Sequence, residues 1–325
     1  MLDFSPINIS VWSRLGSCGA FGIAALELPK TDDKVLVVTS DLCAFSGLDR
    51  FRRTYPDYLY NVGIAEQNMI GVAAGLAKEG FNPFVTTYAS FASTRCADQV
   101  KVNMGYMGLG VKFVGLTSGF AVGILGPTHM GLEDIAFFRS IPRITILSPA
   151  DCTSTVKATL AAAQIKGPVY LRLSGSMGAP IVYKGDFEYR VGKAITLREG
   201  SAVSIIATGS MVARALKTAD LLAAAGVDVG VLDMHTIVPL DADAVLKSCC
   251  GGRLLVTMEE HFVAGGLGGA VAEYLADVAE KPRQLMFGVR GEYPHAGSYQ
   301  YLMEKSGLTP DLMAEKILNA YKEQK

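Results

Sequence analysis

At 325 residues the chain is long for one hydrophobic core, and two domains are the expectation. Half of it is hydrophobic and only 19% charged, which excludes a disordered chain and leaves more apolar surface than a lone monomer ordinarily exposes, so part of it is expected beneath another subunit. A formal net charge of -1 gives no case for nucleic acid or an anionic membrane as a partner.

In chain order, short apolar runs alternate with helical periods. VLVVT (35–39) reads as a buried strand, and residues 64–79 as a helix ended by Gly80. PFVTTY (83–88) is a strand, SFASTRCADQVKVNMGY an amphipathic helix, and VKFVGL (111–116) a strand. LEDIAFFR (132–139) is a helix, ITIL (144–147) a strand, DCTSTVKATLAAAQ a helix capped by Asp151, and PVYLRL (168–173) a strand. The rhythm breaks at SGSMGAPIVYKGDFEYR (174–190) and then restarts. AVSIIAT (202–208), VDVGVLDM (227–234), RLLVTMEE (253–260) and QLMFGV (284–289) are strands. MVARALKTADLLAAAG (211–226) and GGAVAEYLADV are helices, and a last helix starts at TPDLM with Thr309 as N-cap and Pro310 first. Strands without polar alternation, separated by helices, predict parallel sheets covered on both faces. The expectation is two tandem doubly wound α/β domains, 1–174 and a smaller 191–325, joined by a linker at 175–190.

The cysteines at 18, 43, 96, 152, 249 and 250 form no CxxC and have no histidine at ligand spacing, so they read as buried thiols in a reducing compartment, with no disulfide framework and no metal site. MLDFSPINIS lacks a basic start followed by an apolar stretch, and no run reaches the ~18 apolar residues of a spanning helix. A cytoplasmic protein without membrane contact is expected.

Open parallel sheets bind ligands beyond the carboxyl ends of their strands. GGLGGA (265–270) does not match the dinucleotide fingerprint and reads as a tight strand-to-helix turn. GxxxxGK[ST], GxSxG and HExxH are all absent. His129 sits in GILGPTHMG, the type of loop that presents a functional imidazole, although a histidine bonded within its own loop fits the same pattern. His235 and His261 read as structural or subunit-contact residues. Glu66 opens the run EQNMIGVAAGLA and shares a helical face with Met69, Ile70 and Ala73. It is either a first-turn acid favoured by the helix dipole or a buried carboxyl that must find a partner or a proton.

Taken in order, GIAEQNMIGVAAGLA, TTYASFASTRCADQV, GPTHMGLEDIAFFRSIP, LSPADCTST and LDMHTIVPLD resemble the C-terminal part of transketolase, from about residue 10 onward. The likeness is greatest to the C-terminal subunit of a split, two-chain transketolase: a pyrimidine-binding domain followed by the family's C-terminal domain. The resemblance implies thiamine diphosphate. It implies that Glu66 is catalytic and hydrogen-bonds the far ring nitrogen of the aminopyrimidine, that Tyr88 and Phe91 line the ring's aromatic pocket, and that Asp41 lies near the cofactor. It implies that His129 contacts the substrate's reacting oxygens and that Arg14 holds a sugar phosphate. The implied reaction moves a two-carbon glycolaldehyde unit from a ketose to an aldose.

The family holds the diphosphate through Mg2+ on a GDG motif, and this chain has no GDG. The resemblance therefore implies an N-terminal partner chain carrying the metal ligands, in a heterotetramer. Three positions depart from the family. Leu125 stands where an acid commonly precedes GPTH, Gly175 stands where many members have an arginine, and Thr117 or Ser118 replaces a histidine, with Ser118 read as the substrate residue there. Each lost charged hydrogen bond weakens an ordinary phosphoketose by roughly 1.5–3 kcal/mol. Substitute contacts or an atypical donor, branched or sulfonated, would account for this. The beta subunit of a 2-oxo-acid dehydrogenase and a catalytically silent partner are the competing readings; deoxyxylulose-phosphate synthase is related but usually a single longer chain.

Overall fold

A computed structural model of the chain describes residues 2–175 and 177–323. Its strands are β1 (Val35–Thr39), β2 (Leu59–Asn61), β3 (Asn82–Tyr88), β4 (Lys112–Ser118), β5 (Thr145–Leu147), β6 (Val169–Ser174), β7 (Ile195–Arg198), β8 (Val203–Ala207), β9 (Val229–Asp233), β10 (Thr236–Val238), β11 (Leu254–Phe262) and β12 (Arg283–Val289). They form a seven-stranded sheet in the order β10-β5-β6-β4-β3-β1-β2 and a five-stranded sheet in the order β12-β11-β8-β9-β7. All pairings are parallel except β10 on β5 and β7 on β9.

Alternating side chains explain why both faces of these strands are apolar. Val35, Val37, Phe84, Val114 and Leu171 join one core with Phe21 and Ala158, which belong to the helices Pro6–Ala25 and Cys152–Gln164. Their neighbours Val38, Val85, Phe113 and Tyr170 join the opposite core with Met69, Ile70 and Ala73 of the helix Glu66–Lys78. The second sheet repeats the scheme. Ile205, Val231 and Val256 face the helices Met211–Ala224 and Pro310–Lys322, while Ile206, Leu232 and Leu255 face Ala242–Cys249 and Leu267–Tyr274.

Asp151 caps its helix as expected. Its Oδ1 accepts from Ser154 N at 2.8 Å while Ser154 Oγ accepts from Asp151 N at 2.9 Å. Thr309 and Pro310 start the last helix, but the Thr309 hydroxyl makes no capping bond.

Several features depart from the sequence reading. Residues 91–106 are not one amphipathic α-helix, because π-type turns at Phe91–Arg95 and Val100–Tyr106 flank the α residues Ala97–Gln99. β10 lies beyond the expected linker in sequence yet completes the first sheet. The helix Pro6–Ala25, which the reading did not assign, bends at Gly16 (φ 76°) and packs on Cys152–Gln164. The stretch Pro6–Lys30 is, by length and composition alone, enough to cross a membrane, which corrects the expectation that no such run exists; half of its apolar window is buried inside the protein. Finally, all six cysteines are free thiols, but only Cys43, Cys96 and Cys152 are buried, and Cys250 is exposed.

Candidate active site

The helix Glu66–Lys78 begins where the chain turns back from the end of β2. Gly63 (φ 76°) makes that turn, and its N–H donates to Asn61 Oδ1 at 3.0 Å. Asn61 Nδ2 in turn donates to Asp41 Oδ1 at 2.8 Å, while Asp41 N donates to Asn61 Oδ1 at 3.0 Å. The paired amides lock Asp41 in the left-handed region (φ 60°), which aspartate tolerates better than most residues.

Glu66 is the first residue of its helix and is 4% exposed. Arg95 Nη1 donates to its Oε1 at 2.7 Å. The same guanidinium lies over the Phe91 ring, 3.9 Å from its centroid. Oε2 has no hydrogen-bond partner among the described residues. The buried acid is thus paired through one oxygen and open through the other.

An aromatic wall stands beside it. Tyr88, at the end of β3, is 5.7 Å from Phe91 and 6.3 Å from the exposed Phe45, centroid to centroid. The His129 ring packs edge-on against both, at 6.0 Å from Tyr88 and 5.3 Å from Phe91. Thr128 Oγ1 lies 3.0 Å from His129 Nδ1. A cavity of about 430 Å3 opens between Phe91, Arg95 and Thr128 on one side and Glu133 and Tyr293 on the other. Ser90, also at its wall, is buried with an unpartnered Oγ. Burial pushes the Glu133 carboxyl up, partly offset by hydrogen bonds from backbone and Tyr293.

The loop carrying His129 is fixed from below by a buried charge network. Arg172 bonds Asp134 through Nε at 2.8 Å and Nη2 at 3.2 Å, and donates to the carbonyls of Gly131 at 3.1 Å and Glu260 at 2.9 Å. Tyr170 Oη donates to Asp134 Oδ2 at 2.6 Å. Burial pushes the Asp134 carboxyl up, but Arg172 and the hydrogen bonds outweigh it and hold it below its usual range. From the second domain, His261 Nδ1–H donates to Phe262 O at 2.6 Å, leaving Nε2 to accept from Ile135 N at 3.1 Å. Burial takes this imidazole down to about 4, against the opposing pull of Asp134, so it is neutral.

The structure therefore brings Glu66, Tyr88, Phe91 and His129 together. Asp41 lies at the same end of the sheet but is tied to Asn61. Arg14 is exposed on the first helix, where Nε reaches Ser10 O at 3.4 Å, and it touches none of the four. Ser118, read as a substrate residue, is completely buried with its hydroxyl donating to Leu173 O at 3.0 Å, so it cannot meet a substrate in this arrangement. Its neighbour Thr117, the alternative at that position, is the one with an unpartnered Oγ1, on a backbone at φ 51°. Sequence reasoning missed Arg95, which meets Glu66 only through the fold. The GGLGGA segment is a structural turn into the helix Leu267–Tyr274, whose first N–H groups, Leu267 N and Gly268 N, donate to Glu259 at 2.7 and 2.8 Å. His235 is buried and stacked on Tyr189 at 4.1 Å.

Two family descriptions match this chain: the transketolase pyrimidine-binding domain over residues 17–179 and the transketolase C-terminal domain over residues 192–313. The chain belongs to the transketolase family. It is 42% identical over 295 residues to the 6-deoxy-6-sulfo-D-fructose transketolase subunit SqwH of Clostridium sp. (strain MSTE9), covering 91% of this chain and 90% of that one. It is 36% identical to an apulose-4-phosphate transketolase subunit of Phocaeicola vulgatus, covering 89% and 94%. Among solved structures it resembles a split-gene transketolase described as an inactive beta4 tetramer, with a TM-score of 0.86 and 35% identity over 96% of this chain and 99% of that one.

Thiamine diphosphate is the cofactor of this family, and the pyrimidine half fits the residues present: an acid with one open oxygen beside an aromatic wall. Among the described residues no group of three or more His, Cys, Asp or Glu is placed to hold a metal ion.

Proposed function

We propose that this chain is the pyrimidine-binding subunit of a two-chain, thiamine diphosphate-dependent transketolase that moves a two-carbon glycolaldehyde unit from a ketose to an aldose. The observation that carries this reading is Glu66, a buried carboxylate anchored through Oε1 by Arg95 and open at Oε2 next to Tyr88 and Phe91. When bound, thiamine diphosphate supplies the electron sink for the carbanion left by carbon–carbon cleavage. The chain's own contribution is placement and proton handling. Glu66 Oε2 would hold the ring nitrogen by a hydrogen bond, and the Arg95 pair fixes the direction of that oxygen. Tyr88 and Phe91 exclude water from the ring's face. His129, packed on both, presents Nε2 to the substrate's oxygens.

An N-terminal partner chain would hold the diphosphate and Mg2+, with two copies of each chain in the assembly. Relatives that are themselves subunits support this, as do the exposed apolar side chains of Phe45, Ile64, Tyr106 and Ile124 on the first domain. The free thiols suit a reducing cytoplasm. The donor would be a branched or sulfonated ketose. Leu125 and Gly175 lack the charges that grip an ordinary phosphoketose, and the relatives from Clostridium and Phocaeicola are, by their descriptions, subunits of transketolases for 6-deoxy-6-sulfo-D-fructose and for apulose 4-phosphate.

The test is co-purification with the partner chain and turnover of a ketose panel with added thiamine diphosphate and Mg2+. Glu66→Gln lowers turnover about 10²–10⁴-fold if the proton relay is as described. An unchanged rate removes Glu66 from the mechanism, and full activity on xylulose 5-phosphate removes the atypical donor.

A further inference from the structure

The second sheet ends at β12, which is paired with β11 on one side and with no described strand on the other. The direction of its free groups follows from two bonds. Val289 O accepts from Val263 N, just past the end of β11, at 3.1 Å, whereas Met286 O accepts from the side chain Arg290 Nη2 at 3.0 Å. Peptide groups of successive strand residues point to opposite sides, so the N–H and C=O of residues 284, 286 and 288 face away from the sheet. Sheet edges are ordinarily blunted by charge on the strand itself. Residues 285–289 are Leu, Met, Phe, Gly and Val, with no charge among them.

This edge lines a groove of about 630 Å3. All of residues 285–290 contribute, a run of about 20 Å. Lys305 and Gly307, from the turn between the helices Tyr299–Lys305 and Pro310–Lys322, line it as well, as does Lys316 of the second helix. Gly307 is in the left-handed region (φ 69°), and a Cβ there would stand 3.2 Å from Lys316 Nζ, so the bare turn leaves the ammonium its place.

The positive charge of the groove is unspent. Arg290 commits one N–H to Met286 O, which leaves most of its five donors. Lys305 Nζ lies 5.8 Å from the Tyr301 ring centroid. Among the described residues, Arg290, Lys305 and Lys316 have no acidic partner, and Glu292 is the one acid lining the groove. We infer that this groove takes an extended acidic segment of a separate protein, which adds to β12 as a further strand. Backbone bonds to the outward groups supply affinity, and Arg290, Lys305 and Lys316 select acidic side chains. A small anion would leave the strand edge unused, and an apolar segment would desolvate three cations without pairing them. β12 and these three cations take no part in the chemistry proposed above, so the inference stands apart from it.

The experiment is fluorescence anisotropy of the full chain at low salt with two labelled eight-residue peptides. One alternates glutamate and valine; the other carries the same charge with proline in place of each valine, which removes the N–H groups a strand needs. Wild type binds the first peptide, and the second at least tenfold more weakly. The double variant Lys305→Gln, Lys316→Gln weakens the first peptide at least tenfold, as loss of charged hydrogen bonds requires, and flattens its salt dependence. Met286→Pro removes an outward N–H at a position an edge strand tolerates, and weakens the same peptide while circular dichroism shows the fold retained. Should that variant not fold, the two peptides put the same question to wild type. Absence of binding by wild type, equal affinity for the two peptides, full displacement by inorganic phosphate, or undiminished binding by the folded double variant overturns the proposal. So does dissociation of the chain's own oligomer by the double variant in sedimentation velocity, which would assign the groove to a second copy.

Discussion

Replacing Arg172 with methionine would strand a carboxylate at the junction of the two domains. Arg172 is 1% exposed and Asp134 is fully buried, so neither has water to fall back on. Removing one partner of such a pair costs about 3–5 kcal/mol. The Glu260 carbonyl would also lose its Arg172 donor, whereas Gly131 O keeps Gly119 N at 2.8 Å. The loss should depend on pH, with a sign set by Asp134. In wild type Arg172 holds that carboxyl below its usual range, so its contribution is present above the ordinary carboxylate pKa and lost as pH falls through the folded value. Without Arg172, burial dominates and the carboxyl rises, so proton uptake relieves the variant as pH falls. Guanidinium unfolding of the free chain, followed by circular dichroism at pH 8 and pH 5.5, should therefore show the larger deficit at pH 8. Adding Asp134→Leu should recover all but about 2 kcal/mol, the remainder being the Tyr170 hydroxyl left without its acceptor and the Glu260 carbonyl left without its donor. A deficit below about 1 kcal/mol, or one equal at both pH values, would refute the reasoning.

Asp233 is buried against the Tyr183 hydroxyl, and burial raises its carboxyl to about 8. Between the ordinary carboxylate range and that value the folded state holds a proton that the unfolded state has released, so stability falls as pH rises through this window. Glu259, raised by burial to about 8, acts in the same direction. Calorimetry from pH 6 to 8.5 should show a falling midpoint in wild type and a shallower fall in Asp233→Asn; identical slopes would exclude Asp233 as a source. Gly266→Ala places a Cβ 1.8 Å from Glu259 Oε2, in a carboxyl group held by Leu267 N on Oε2 and Gly268 N on Oε1, so it cannot step aside. Chemical denaturation should register a loss of about 1–3 kcal/mol, and a neutral result would show that this turn is free to shift. Asp151→Ala removes a capping box and the acceptor for Val182 N and Tyr183 N together. About 2–4 kcal/mol should be lost in the same assay, with faster proteolysis between residues 175 and 190; a loss within 0.5 kcal/mol would mean the linker is held by other means.

The parallel strands were the most readable part of the sequence, because a strand buried on both faces appears as an uninterrupted apolar run. VLVVT is β1 without adjustment, and VKFVGL differs from β4 by one residue at its start and two at its end. The first helix left no comparable trace. Its apolar residues lie on opposite sides, with Trp12 and Phe21 buried and Ile7 and Leu15 exposed, so no stripe marks it. The π-type turns after Phe91 were not readable either, since that spacing is set by tertiary contacts rather than by residue preference. At the site, Glu66, Tyr88, Phe91 and His129 were found through family motifs. Arg95 needed the structure, because the acid and its cation lie on different elements 29 positions apart. Ser118 was misplaced because the left-handed Thr117 and a register shift against β6 break the strand's alternation there, turning the Ser118 hydroxyl onto Leu173 O.

β10 has a further consequence. Thr236–Val238 comes after the linker, yet it forms the outer edge of the first sheet, and Ser148 N reaches across to His235 O at 2.8 Å. Cutting the chain anywhere in 175–190 would strip β5 of its outer neighbour and leave an open row of backbone groups that invites pairing with other molecules. The two halves are thus stitched rather than merely tethered, and neither can be expressed alone with its architecture intact.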